Sequence, residues 1–169
     1  LSAAARKICL LGDFAVGKTS LIRRFVEGRF DESYLSTIGV QISRRKVAIE
    51  APQAAELNLY VWDTAGSEPF TAVVRSYYQG ARGAILVCDL TRPDTLHSLE
   101  KYVREVSAVN RSMAFVVVGN KVDLAGQREI SDSMLAEAAQ QYHAPCFLSS
   151  ARTGENVEQA FQVLATQLL

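Results

Sequence analysis

Apolar runs and helix-spaced apolar positions alternate along most of the 169 residues. Short apolar runs predict strands over residues 7–11, 40–49, 57–63, 83–90, 114–119 and 144–148. Apolar positions at three- and four-residue intervals predict helices over 18–27, 71–79, 96–110, 133–142 and 157–168. In the last, Val157, Ala160, Phe161, Leu164 and Leu168 make one buried face. Ser131 is placed to cap the fourth helix, and Pro145 to stop it. The second and third strands are separated by residues 51–56 alone, which predicts an antiparallel hairpin. The other crossovers contain helices and predict right-handed parallel units. The expected fold class is α/β: a six-stranded, mostly parallel sheet with one antiparallel hairpin and helices on both faces. Ligands of such sheets bind beyond the carboxyl ends of the strands.

Composition narrows this little. The chain is 49% apolar and 21% charged, which fits one globular domain over residues 1–169. A formal net charge of zero gives no pull toward nucleic acid. No stretch is long and apolar enough to span a membrane. Cys9, Cys88 and Cys146 lie in strand-like runs without metal-ligand spacing, and read as reduced, buried thiols of a cytoplasmic protein.

The chemistry sits at strand ends. Gly12-Asp13-Phe14-Ala15-Val16-Gly17-Lys18-Thr19 fits the phosphate-binding pattern G-x-x-x-x-G-K-[ST], between a predicted strand and a predicted helix. Backbone N–H groups over Phe14, Ala15, Val16, Gly17 and on to Ser20, with the helix N-terminus, point positive dipoles at an anion. Lys18 would reach the terminal phosphates, and the Thr19 hydroxyl would ligate Mg²⁺. Asp63-Thr64-Ala65-Gly66 closes the third strand. Asp63 is placed to hold the metal through water, and Gly66 to bring its N–H close to the terminal phosphate.

Gly119-Asn120-Lys121-Val122-Asp123 ends the fifth strand. The Asp123 carboxylate can accept both the ring N–H and the exocyclic amine of guanine; adenine has the opposite polarity at the ring position. Ser150-Ala151-Arg152, after the sixth strand, offers a backbone N–H to the guanine carbonyl.

With these four motifs in order, the chain resembles the Ras-superfamily small GTPases, and among them the Rab proteins, over nearly its whole length. Residues 36–40, 62–66 and 75–81 are similar to Rab segments. The resemblance implies the P-loop small GTPase fold, and a switch that binds GTP and GDP with Mg²⁺ and hydrolyses GTP slowly. It places Thr37 on Mg²⁺ and the γ-phosphate, Phe30 against the guanine ring, and a second switch over residues 67–78. Lys18, Thr37, Gly66 and Ser67 are the expected catalytic positions. Exchange factors, GTPase-activating proteins and effectors are the partners it implies, and vesicle traffic the process. Membrane attachment would come only through a prenylated tail, absent from this chain, on the cytosolic face of intracellular membranes.

The chain departs from the family's pattern at four positions. Ser67 replaces a glutamine that orients the attacking water, and its hydroxyl is too short for that gap. Phe14 replaces a small residue where a water or an arginine finger must fit. Pro69 and Gln41 replace the usual arginine and aspartate. The alternative function is therefore a GTP-binding module that recruits effectors without useful hydrolysis. An ATP-using kinase of the same loop type fits less well, given Asp123 and no lid insertion. His97 and His143 read as surface residues, and Arg23-Arg24 and Arg44-Arg45-Lys46 as solvated faces. The second of these basic runs flanks the switch strand and is also a candidate partner surface. Trp62 and Phe70 read equally as core packing or as an effector-facing patch.

Overall fold

In the computed structural model, residues 3–32, 37, 39–50, 53–66 and 69–169 are described. The strands are β1 (Ala4–Leu11), β2 (Val40–Ile49), β3 (Ala55–Thr64), β4 (Ala81–Asp89), β5 (Ala114–Asn120) and β6 (Cys146–Leu148). The helices are α1 (Lys18–Glu27), α2 (Ala72–Tyr78), α3 (Pro93–His97), α4 (Leu99–Val109), α5 (Asp132–Gln141) and α6 (Val157–Gln167). The sheet order is β2-β3-β1-β4-β5-β6. The β2–β3 pair is antiparallel and every other pair parallel, as the strand spacing predicts.

β1 shows why both faces are covered. Ile8 and Leu10 enter a core layer with Phe25 of α1 and Phe161 of α6. Cys9 and Leu11 enter the opposite layer with Tyr78, Tyr102 and Leu135 from α2, α4 and α5. Successive side chains of a strand point to opposite faces, so a continuous apolar run requires helices on each. The rings of Phe25 and Phe161 stack at 3.9 Å, 2° from parallel.

Three of the boundaries that differ from the periodicity have a clear local cause. β1 starts three residues early, because polar Arg6 and Lys7 still pair with Leu59 and Tyr60 of β3. β6 is shorter than expected: Pro145 has no N–H for the ladder, though its carbonyl accepts from Val117 N. The third predicted helix begins at Pro93, whose missing N–H costs nothing at a first turn. It tightens at Ser98, whose carbonyl accepts from both Lys101 N and Tyr102 N. Thr71 and Ser131 cap α2 and α5 by accepting from Val74 N and Met134 N.

Two expectations are corrected. Cys9 and Cys88 are buried, but Cys146 is exposed, because β6 is the edge of the sheet. The arginine runs are not merely solvated. Arg24 donates to the carbonyls of Ala151 and Arg152, fastening the loop after β6 to α1. Arg45 makes a bidentate pair with Glu158 at 2.6 and 2.8 Å and lies over the Phe25 ring, joining β2 to α6. His97 and His143 are exposed.

Candidate nucleotide site

A cavity of about 360 Å³ opens at the carboxyl edge of the sheet. It is lined by Phe14, Ala15, Gly17, Lys18, Thr19 and Ser20 from the loop after β1 and the start of α1. Phe30, Thr37 and Gly66 line it from the segments around β2 and β3. Asn120, Lys121, Asp123, Ala151 and Arg152 line it from the loops after β5 and β6. Residues far apart in sequence meet here because parallel strands all end at one edge.

Three site candidates lie behind the wall. Val16 is fully buried in the core, so its backbone alone faces the loop. Ser150 is fully buried and donates its hydroxyl to Asp123 Oδ1 at 2.7 Å, aiming that carboxylate. Asp63 is 2% exposed, under Thr19. Ser67 lies outside the described residues.

The Lys18 end of the cavity is built from backbone. Lys18 Nζ donates to the carbonyls of Gly12 and Asp13 at 2.7 and 3.0 Å, which folds the loop round its own cation. Burial lowers the Lys18 pKa to about 8, against the opposing pull of Asp63 and Asp13. A bound phosphate would favour the charged form again. Gly17 admits no side chain: a Cβ there would stand 2.3 Å from Asn120 Nδ2. The loop before α1 therefore packs directly on the Asn120 segment.

Three oxygens cluster beside that lysine. Thr19 Oγ1 donates to Asp63 Oδ2 at 2.5 Å and lies 2.6 Å from Thr37 Oγ1. Asp63 Oδ1 is buried and has no hydrogen-bond partner among the described residues. Burial raises the Asp63 pKa despite the Thr19 hydrogen bond and nearby Lys18. A buried carboxylate with a spare oxygen beside two hydroxyls is the donor set of a hard divalent cation, and fits Mg²⁺.

At the other end of the cavity, Asn120 ties three segments together. Its Nδ2 donates to Val16 O at 3.0 Å, and its Oδ1 accepts from Ser149 Oγ at 3.2 Å and Ala151 N at 3.3 Å. Lys121 Nζ donates to Ala15 O at 2.9 Å and pairs with Asp89 Oδ2 at 2.8 Å. Phe30 packs against the core beside this end, offering a flat apolar wall.

Sequence reading passed over Asp89, Arg92 and Tyr102. Asp89 closes β4, a strand end like that of Asp63, and that position was the available signal. Burial pushes its carboxyl up, but Lys121 and Thr91 outweigh this and hold the group below its usual range. Arg92 pairs with Asp89 at 3.2 Å and donates to Phe14 O at 2.8 Å. Tyr102 carries no motif, and only the packing of α4 brings it to the loop.

A sequence model of the Ras family matches residues 7–169. The GTP-binding protein ypt1 of Schizosaccharomyces pombe is 37% identical over 167 residues, spanning 96% of this chain and 79% of that protein. The Ras-related protein Rab-13 of Rattus norvegicus is 35% identical over 164 residues, with the same two coverages of 96% and 79%. Rab-13 of Canis lupus familiaris matches to the same degree. On this match across the length of the fold, the chain belongs to the Ras family of small GTPases and is similar within it to the Rab and Ypt proteins.

Proposed function

We propose that residues 1–169 form one G domain that binds GTP and GDP, works as a switch in vesicle traffic, and hydrolyses GTP slowly. The observation that carries this is the meeting, in one cavity, of the Lys18 loop, the Thr19 and Thr37 hydroxyls backed by buried Asp63, and Asp123. Backbone N–H groups from Phe14 to Ser20, with Lys18, would hold the β- and γ-phosphates. Asp123, aimed by Ser150, would accept from guanine, while the Ala151 region, with Ser150 and Arg152, faces the guanine carbonyl. Phe30 would cover the ring. Thr19 and Thr37 would hold Mg²⁺, with Asp63 behind them through water; the bound ion would neutralise charge on the phosphate oxygens.

For hydrolysis by in-line attack of water, Lys18 would stabilise charge developing on the departing β-phosphate oxygens. Gly66 N–H and the Thr37 segment would orient the γ-phosphate and the water. Ser67 gives that water little help, so turnover would lean on a partner. Exchange factors, activating proteins and effectors would engage the switch segments. Exposed Ile42 and Phe70, with half-buried Trp62, offer an apolar surface beside them. No helix among the described residues is long and apolar enough to cross a membrane. Attachment to the cytosolic face of a membrane would need a prenylated tail.

The second reading, a binding module without useful hydrolysis, draws on Phe14, which is 46% exposed at the cavity. One experiment separates the readings. After GTP is shown to outcompete ATP, hydrolysis of bound GTP is followed in a single turnover with Mg²⁺. A slow measurable rate supports the GTPase, and GTP intact after many hours supports the binding module. Failure of GTP to outcompete ATP would overturn the role given to Asp123.

A further inference from the structure

We propose that Tyr102 is a positioning residue for telling GTP from GDP, its hydroxyl holding Gly66 against the phosphate loop. This rests on the reading above in which Gly66 N–H meets the terminal phosphate. Tyr102 sits on α4, 5% exposed, with its ring in the core layer beneath α2. It does not line the cavity, so it acts through others.

The geometry is a single hydroxyl between two acceptors. Tyr102 Oη lies 2.9 Å from Asp13 Oδ1 and 2.9 Å from Gly66 O. A phenol has one hydrogen, so these two acceptors compete for it. Burial, then the Asp13 carboxylate, hold the phenol well above its usual range, and the hydrogen stays on. The carboxylate is the stronger acceptor. If Gly66 moves away, the hydrogen turns wholly to Asp13, and no buried donor is stranded. Tyr102 therefore favours one placement of Gly66 without forbidding another.

Gly66 is confined on its other side as well. A Cβ on it would stand 2.5 Å from Asp13 C, 2.5 Å from Gly12 O and 2.6 Å from Phe14 N. Its backbone is thus pressed onto the phosphate loop, and Tyr102 holds it there. That placement keeps Gly66 in the cavity wall beside Lys18, where a terminal phosphate would lie. GDP lacks that phosphate and gains nothing from the placement. A residue that favours it discriminates between the nucleotides, rather than strengthening both.

The test is Tyr102→Phe, which removes one oxygen and keeps the ring. Dissociation constants for GDP and for the β,γ-imido analogue of GTP are measured with Mg²⁺ by fluorescence competition. GDP affinity should stay within about twofold, while analogue affinity falls roughly threefold to tenfold, the worth of one hydrogen bond. The Gly66 amide resonance should also shift less on analogue binding than in the wild type. Equal losses for both nucleotides, or no loss, would overturn the proposal and leave Tyr102 a packing residue. Failure of the wild-type protein to bind guanine nucleotides would instead overturn the reading on which it rests. If the variant does not fold, the Tyr102 Cζ resonance of the wild type decides. It should differ between the GDP and analogue complexes, and identical positions would overturn the proposal.

Discussion

The Thr19 hydroxyl donates to Asp63 at 2.5 Å, and the other oxygen of that carboxylate is buried without a partner among the described residues. A carboxylate in this state is costly unless a cation shares it. Asp63→Ala is therefore expected to weaken the Mg²⁺ dependence of GDP retention by roughly 10–100-fold, the usual cost of losing a group that supports a metal through water. Release of a fluorescent GDP derivative, with and without a chelator, checks it. Wild-type release should accelerate on chelation, and the variant should release fast in either condition.

Under the proposed function, Asp123 would carry the base preference. Asp123→Asn replaces two charge-assisted acceptor contacts, each worth about 1.5–3 kcal/mol, with an amide that can serve only one. GTP affinity should fall roughly 10²–10⁴-fold, with ATP affinity little changed. Equilibrium competition gives both numbers. An unchanged GTP affinity would remove Asp123 from the site.

Phe14 and Ser67 should affect turnover separately. Ser67→Gln is expected to raise single-turnover hydrolysis about tenfold or more, the effect of roughly 1.4 kcal/mol in a barrier. Phe14→Gly should change the intrinsic rate less but should open the cavity to an arginine brought by a partner, where about 10³–10⁵ is at stake. Quenched-flow assays with and without an activating protein separate the two.

The thiols make a chemical prediction. Burial pushes Cys9 and Cys88 up to about 12, whereas Cys146 is exposed. In the native protein one thiol should react with a maleimide quickly, and all three after unfolding. A folded-state pKa raised above the ordinary 9.0 stabilises fully below pH 9 and is lost as pH rises toward 12. The part of alkaline destabilisation due to these thiols should disappear in a Cys9→Ala/Cys88→Ala protein.

The stacked pair Phe25–Phe161 anchors one core layer. Phe161→Ala should cost about 3–5 kcal/mol. That corresponds to roughly 6–20 °C in Tm at this chain length. Calorimetry of the nucleotide-free protein tests it without linkage to ligand.

Much of this was legible in the chain because two periodicities rarely conflict. Residues 57–63 and 114–119 read as strands and are strands. The motifs reach one cavity because each lies at the end of a strand whose direction the crossovers dictate. What escaped was long-range and backbone-directed. Arg24 and Arg45 looked solvated because their partners, the carbonyls of Ala151 and Arg152 and the carboxylate of Glu158, lie over a hundred positions away. Tyr102 looked like any apolar helical position, since periodicity reports the ring and not the hydroxyl. Cys146 was misplaced because an apolar strand at a sheet edge has the same pattern as one at its centre.

Asp89 fastens both ends of the cavity. It holds Lys121, which donates to the Ala15 carbonyl, and Arg92, which donates to the Phe14 carbonyl. The loop before α1 and the loop after β5 thus share one rivet. Loosening Lys121 would slacken both loops, so a nucleotide would come away whole rather than peel from one end. A partner would then need purchase on a single corner of the molecule to empty it.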